Sequence, residues 1–299
     1  MIRRRIVANY DLYLFVLPAA LYFLIFHYGP IYGLQIAFKE FSPVRGITGS
    51  LWVGFEHFQR FFTSYHFWNL IRNTLGISVY QLVVGFPAPI ILALMLNEVR
   101  NRRFKRVVQT VTYAPHFISV VVMTGMILIF LRSPSGIVNH MIVALGGEPV
   151  RFMVRAEYFK TIYVLSEVWQ RTGWGSIVYL AALSGIDPQI YEAAIIDGAT
   201  RLQRVRHINI PGILPIIIIL LILNTGQIMS VGFEKVFLLQ NPLILSTSEV
   251  ISTYVYKSGL QNFQYSFAAA VGLVNSVINF LLLVSVNTIA RRTGETGLW

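Results

Sequence analysis

Cysteine is absent from this 299-residue chain. That absence excludes a disulfide scaffold and any thiolate chemistry, and it leaves the redox compartment open. Charge is scarce as well, at 12% of residues, roughly half the share of about 25% in an ordinary soluble domain. No G-x-x-x-x-G-K-[ST] loop occurs, so the chain has no cradle of that kind for a nucleotide phosphate. H-E-x-x-H and G-x-S-x-G are missing too, and His residues do not cluster with Asp or Glu at metal-ligand spacing. Neither a catalytic residue nor a metal site is therefore expected. Internal duplication and low-complexity tracts are also lacking.

What the chain has in abundance is apolar length. Hydrophobic residues make up 55%, and the mean hydropathy is +0.62. Runs able to cross a hydrocarbon core of about 20 residues lie near residues 12–36, 71–96, 107–131, 161–183, 211–232 and 267–290. These predict an all-α, polytopic transmembrane bundle of six spans, forming one domain over residues 1–299. Six spans place both termini on one side. If that side is cytoplasmic, thirteen Lys and Arg fall in inside segments, among them Arg3, Arg4, Arg5 and the short turn from Arg100 to Arg106. Nine fall in the longer outside loops. The bias predicts cytoplasmic N- and C-termini. The basic turn reads as an anchor at anionic head groups of the lipid bilayer, not as a nucleic-acid patch.

Arg3-Arg4-Arg5 before an apolar run imitates a signal peptide, but the large aromatic residues at the end of that run leave no small-residue cleavage site. It reads as a retained first span, with Gly29, Pro30 and Gly33 marking its outer end or a kink. Residues 39–70 are rich in Phe and Trp and predict an interfacial loop with short helices. Pro115 and His116 predict a kink in span three, with His116 structural. Turn signals at Ser133-Pro134-Ser135-Gly136 and Gly146-Gly147-Glu148-Pro149 frame an external helix. Spans four to six carry polar faces: Glu167 and Arg171, then Asn224 and Gln227, then Asn275 and Asn279. Two readings of these six stand side by side, helix-to-helix bonding and the lining of a common substrate path. Glu167 and Arg171, four apart with the acid first, are spaced for a helical ion pair. As a structural pair they fix span four against its neighbours; as path residues they help pass an acidic oligosaccharide.

One polar stretch between spans four and five is patterned throughout. Asp187-Pro188 predicts an N-cap and first helical residue, Gly198 a left-handed helix end, and Thr200 with Gln203 a capping box that starts a second helix in a new direction. Ala193 and Ala194 keep one side of the first helix slim, Glu192 offers a charge, and Tyr191 and Ile195 form an apolar ridge. Such a helix is shaped to dock on a partner.

Glu192-Ala193-Ala194, Gly198 and Ile208-Asn209-Ile210-Pro211, at these spacings, resemble the EAA signature of membrane subunits of binding-protein-dependent ABC importers; Ile210 stands where that pattern usually has Leu. Phe38-Lys39-Glu40-Phe41-Ser42-Pro43 and Trp52-Val53-Gly54-Phe55-Glu56-His57-Phe58 resemble the carbohydrate-uptake, maltose-type branch, especially its polysaccharide-fragment permeases. The resemblance implies a type I importer permease fold in a bacterial cytoplasmic membrane, with a cytoplasmic coupling loop over 185–211. In that loop Tyr191, Glu192, Ala193, Ala194, Asp197, Gly198, Ile208 and Pro211 would meet an ATPase. Glu192 makes the contact, the alanines allow close approach, Gly198 permits the bend, and Pro211 starts the next span. Implied partners are a second, homologous permease, a pair of ATPase subunits, an extracytoplasmic solute-binding protein and an oligosaccharide. ATP and Mg sit on the ATPases, and this chain binds no cofactor and is no enzyme. Two rivals are the same architecture serving phosphate, amino acids or metal complexes, and a membrane enzyme or scaffold.

Overall fold

The structure, a computed structural model, describes residues 10–292 and 297–298; Arg3, Arg4 and Arg5 lie outside them. The chain divides into two compact units, Met1–Ser64 with Val255–Val274, and Tyr65–Tyr254 with Asn275–Trp299.

In the first unit, α1 (Tyr10–Phe23) continues through a π turn, Leu24–Tyr28, into a 3-10 stretch, Gly29–Phe38. Pro30 sits at the start of that stretch, where its missing amide donor costs nothing. Together they make one apolar run, Tyr10–Phe38, whose most apolar window is wholly unburied. After it, β1 (Lys39–Glu40) pairs antiparallel with β2 (Leu51–Trp52), Lys39 opposite Trp52. This hairpin was not expected of a loop with short helices; the short helices are α2 (Gly46–Gly49) and α3 (Glu56–Phe62). Aromatic packing holds the turn, with Phe38 stacked on Trp52 at 5.7 Å and tilted against Phe58 at 5.1 Å. The Arg60 guanidinium lies 4.6 Å from the Phe267 ring centre and donates to Gln264 Oε1 at 2.9 Å.

The second unit is built around one long helix. Its elements are α4 (Phe67–Gly85), α5 (Pro87–Glu98), α6 (Arg102–Tyr113), α7 (Val120–Phe130), α8 (Ile137–Ala144), α9 (Phe159–Ser184), α10 (Pro188–Ile196), α11 (Arg201–Arg204), α12 (Ile210–Thr225), α13 (Phe233–Leu239), α14 (Leu245–Ser248) and the first four residues of α15 (Ile251–Tyr256). Helix α16 (Tyr265–Arg292) runs through both units. One buried cluster joins Phe159, Tyr163 and Val164 of α9 to Ile77, Met123, Ile127, Val236 and Leu239. A second joins Tyr179 and Leu183, about four to five turns on, to Ala93 and Ile213. Both clusters therefore include α9.

Among the described residues, four helical runs are long and apolar enough to cross a membrane: Tyr10–Phe38, Phe67–Glu98, Arg201–Thr225 and Tyr265–Arg292. The six-span expectation needs amending at three places. Span three is broken, since α6 with its 3-10 turn Ala114–Phe117 and α7 meet at a bend of 102°. Pro115 and His116 were expected to kink it; in fact the chain turns a corner there, and the pair counts as a fifth span only if taken together. Span four, α9, has 26 residues, ample length, but Lys160, Glu167 and Arg171 make it too polar to pass on composition. Span five ends as a helix at Thr225, not near 232, and begins ten residues early at Arg201. Helix α8 lies where the two turn signals framed it.

His116 stacks on Trp174 with ring centres 4.5 Å apart and planes 3° apart, in keeping with a structural role. One residue earlier in α9, Gly173 presses on the end of α6. A Cβ at Gly173 would lie 1.9 Å from the Thr112 carbonyl oxygen, a backbone atom that cannot swing aside. Replacing Gly173 with alanine is expected to cost about 1–3 kcal/mol or more through overpacking and to lower the thermal midpoint of the purified chain. Gly125→Ala, where a Cβ would meet nothing within 4 Å, is the comparison; equal midpoints would show that the contact is not tight.

Candidate functional site

Two regions of the second unit carry the polar patterning, the connector between α9 and α12 and a cavity. In the connector, Asp187 accepts a hydrogen bond from the Gln189 amide at 2.9 Å and Pro188 opens α10, as predicted. At the far end Gly198 has φ +77°. Its amide donates to Ile195 O at 3.1 Å and the Ala199 amide to Ala194 O at 2.9 Å. These are the paired bonds of a Schellman end, which needs a left-handed residue. Because a Cβ on Gly198 would touch nothing within 4 Å, conformation alone demands glycine. Thr200 and Gln203 then form the predicted capping box, with Thr200 N donating to Gln203 Oε1 at 2.7 Å.

Helix α10 buries none of its residues. Glu192 is exposed and makes no ion pair among the described residues; beside it stand Ile190, Ile195 and Ile196, the last 85% exposed. Ala193 and Asp197 are exposed, and Ala194 is half-buried. Tyr191, read from sequence as part of the apolar ridge, turns inward: its hydroxyl donates to Asn209 Oδ1 at 2.5 Å. Burial pushes the Tyr191 phenol up from its ordinary value, so it remains a donor. Asn209 is fully buried in the π turn Val205–Asn209, which joins α11 to α12 without a break. Ile208 lies half-buried in the same turn, and Pro211 stands in the first turn of α12 as expected. Arg204 reaches Glu98 at 3.7 Å and ties α11 to the end of α5.

The cavity, about 510 Å³, is lined by α4, α5, α9, α12 and the residues after α12. Glu167, Arg171, Asn224 and Gln227 all face it, joined by Ser78, Gln81 and Thr172. Asn275 and Asn279 do not line it. Asn279 instead props the turn beside it, accepting from Met229 N at 3.0 Å and donating to Ser230 Oγ at 3.0 Å. The Asn224 amide donates to Leu220 O at 2.7 Å in its own helix.

Glu167 does pair with Arg171. Its buried partner, however, is Lys235 of α13, whose Nζ donates to Glu167 Oε2 at 2.8 Å and to Tyr163 O at 3.3 Å. The Lys235 and Glu167 side chains are 5% and 9% exposed, whereas Arg171 is 68% exposed. One carboxylate thus faces two cations, and the surplus positive charge is the one that reaches the open cavity. Sequence reading missed Lys235, because 68 residues separate it from Glu167 and no helical spacing relates them.

Residues 85–295 match the family model described as "Binding-protein-dependent transport system inner membrane component". The chain belongs to this family. The permease is 42% identical over 295 residues, 99% of its own length and 92% of the relative's, to the polygalacturonan/rhamnogalacturonan transport system permease protein YteP of Bacillus subtilis (strain 168). It is 44% identical over 288 residues, covering 96% and 91%, to Protein LplB of the same organism. Among solved structures, it superposes with TM-score 0.91 at 42% identity, over 99% of each chain, on a chain of a bacterial alginate ABC transporter in complex with an alginate pentasaccharide-bound periplasmic protein. A chain of a bacterial ABC transporter for import of the acidic polysaccharide alginate gives TM-score 0.90 at 43% identity over 97% and 98%. An ABC transport permease of type I fold, spanning the membrane several times, is therefore what the fold and the family agree on.

Since only conformation holds Gly198, Gly198→Ala is expected to destabilise the end of α10 by about 1 kcal/mol or more, and the β-branched Gly198→Val by more still. Hydrogen-exchange mass spectrometry of residues 188–200 would show exchange rising in that order; wild-type rates in both variants would contradict a strained turn.

Proposed function

We propose that this chain is one half of the transmembrane pore of an ABC importer that carries an acidic oligosaccharide across a bacterial cytoplasmic membrane. The carrying observation is the Glu167–Lys235–Arg171 cluster, which leaves a net positive charge and a reachable guanidinium on the wall of a polar cavity. A guanidinium binds a carboxylate in a two-pronged geometry that a neutral sugar does not use. Asn224, Gln227 and Gln81 supply amides for hydroxyl groups nearby. The names of its relatives, polygalacturonan/rhamnogalacturonan for one and alginate for another, point the same way. Asn279 takes the supporting part of this reading, holding the turn behind the wall.

The chain acts as a single permease domain with six crossings and both termini cytoplasmic, the broken α6–α7 pair and the polar α9 counting as crossings. Its companions are a second, homologous permease, two ATPase subunits that hold ATP and Mg, and an extracytoplasmic solute-binding protein that delivers the sugar. No catalytic step falls to this chain. Helix α10 docks on the ATPase through Glu192 and the exposed isoleucines, with Ala193 at the contact. Closure of the ATPases shifts α10, and the helices around the cavity rock between outward and inward openings.

Arg171→Gln is expected to leave folded yield near wild type, because Lys235 still neutralises Glu167. Liposome uptake of a uronate oligosaccharide should fall roughly tenfold or more, the worth of one charge-assisted contact, with neutral oligosaccharide uptake little changed. Lys235→Gln should do the reverse and depress yield, since it strips a buried carboxylate of its buried partner at a cost of about 3–5 kcal/mol. Wild-type uptake by Arg171→Gln would remove it from the path.

Glu192→Lys should preserve insertion and folded yield but abolish substrate-stimulated ATP hydrolysis in the assembled transporter, since the exposed carboxylate has no other task. Undiminished hydrolysis in that variant would overturn the docking role of α10.

A further inference from the structure

A groove of about 700 Å³ opens at the C-terminal end of α5, between that helix, the start of α6, and α11. Its walls have two chemistries. Ile91, Leu94 and Met95 of α5 and Phe104 of α6 give it an apolar side, with Ile91, Met95 and Phe104 each more than half exposed. Arg100 and Arg201 stand at its polar end. Glu98, the one acid in the lining, is engaged by Arg204 at 3.7 Å, so the two lining arginines keep their charge for something else. Neither makes an ion pair among the described residues.

Helix α6 extends the same pattern. Phe104, Val107 and Val111 are exposed at 57%, 60% and 66%, and their spacing puts them on one face. Arg102, Arg103, Lys105 and Arg106 fill its first two turns, where the helix's own partial positive charge disfavours cations. Asn101 caps the backbone there, accepting from Arg103 N at 2.9 Å and Phe104 N at 3.2 Å. A helix with an apolar face, a basic end and a 102° bend away from the run that follows it has the make-up of one lying in a membrane interface. The spanning run Phe67–Glu98 ends at the groove, so an acyl chain beside α5 is continuous with the apolar wall.

We propose that this groove binds one anionic glycerophospholipid, its phosphate between Arg100 and Arg201 and an acyl chain against Ile91, Leu94, Met95 and Phe104. Charge complementarity selects the head group, because each arginine near an anionic lipid is worth roughly a fivefold preference. The apolar wall separates this ligand from a free phosphate, which has nothing to lay there.

The test uses the full chain in nanodiscs of equal palmitoyl-oleoyl phosphatidylglycerol and phosphatidylcholine, extracted into mild detergent, with retained lipid counted by native mass spectrometry. Wild type should retain phosphatidylglycerol over phosphatidylcholine by roughly tenfold or more. Arg100→Gln with Arg201→Gln should bring the ratio near unity, and Arg100→Lys with Arg201→Lys should keep most of it, which separates loss of charge from loss of fold. Leu94→Trp, narrowing the apolar wall, should reduce retention of both lipids. Equal retention by wild type, or an undiminished preference in the double glutamine variant, overturns the proposal. So does displacement by millimolar glycerol 3-phosphate, which would mean a soluble phosphate site. Loss of the preference once the chain is assembled with its native partner subunits would mean that protein covers the groove, and overturns it equally.

Discussion

A carboxylate buried in a helix must be neutralised, and much of the second unit is arranged to meet that demand at Glu167. Leaving it charged and alone costs several kcal/mol. Its answer comes from α13, a seven-residue helix that carries Lys235 into the same core cluster in which Val236 and Leu239 meet Phe159, Tyr163 and Val164. The ion pair and the apolar cluster are therefore one joint. With Glu167 also satisfied from the buried side, Arg171 on the next turn pairs with it while remaining largely exposed. Of the two sequence readings of that pair, the structural one is met by Lys235 as well as by Arg171, and the substrate-facing one belongs to Arg171 in the function proposed above.

What could be read in advance was local. Asp187, Gly198, Thr200 and Gln203 announce helix ends through side-chain and backbone rules that act within four residues, and each appears where those rules put it. The apolar runs forecast the long helices for the same reason. Contacts between distant segments left no such trace. Lys235 finds Glu167, Tyr191 finds Asn209, and Gly173 meets Thr112 only once the chain is folded. The corner at residues 114–119 was half legible, because proline signals a break but carries no angle. The hairpin Lys39–Glu40 with Leu51–Trp52 escaped notice because strands of two residues have no periodicity to detect.

The groove and the cavity place one residue type in opposite surroundings. Arg171 has a carboxylate beside it and a polar cavity before it, so its spare charge suits a solute passing through water. Arg100 and Arg201 sit where a spanning helix ends beside exposed isoleucine, methionine and phenylalanine, so theirs suits a ligand with a tail. Neighbours, not the guanidinium, decide which.

The unbroken run Arg201–Thr225 has a mechanical consequence. Its 25 residues make a rod of roughly 37 Å, with the Gly198 bend at one end and Asn224 at the edge of the cavity at the other. Tyr191 pins α10 to this rod at Asn209, about a third of the way along. A tilt of only about 5° around either end displaces the opposite end by about 3 Å, the width of one hydrogen bond. A tilt that small about the connector end moves Asn224 by one hydrogen-bond width, enough to remake its contacts at the edge of the cavity with no change of secondary structure between the two.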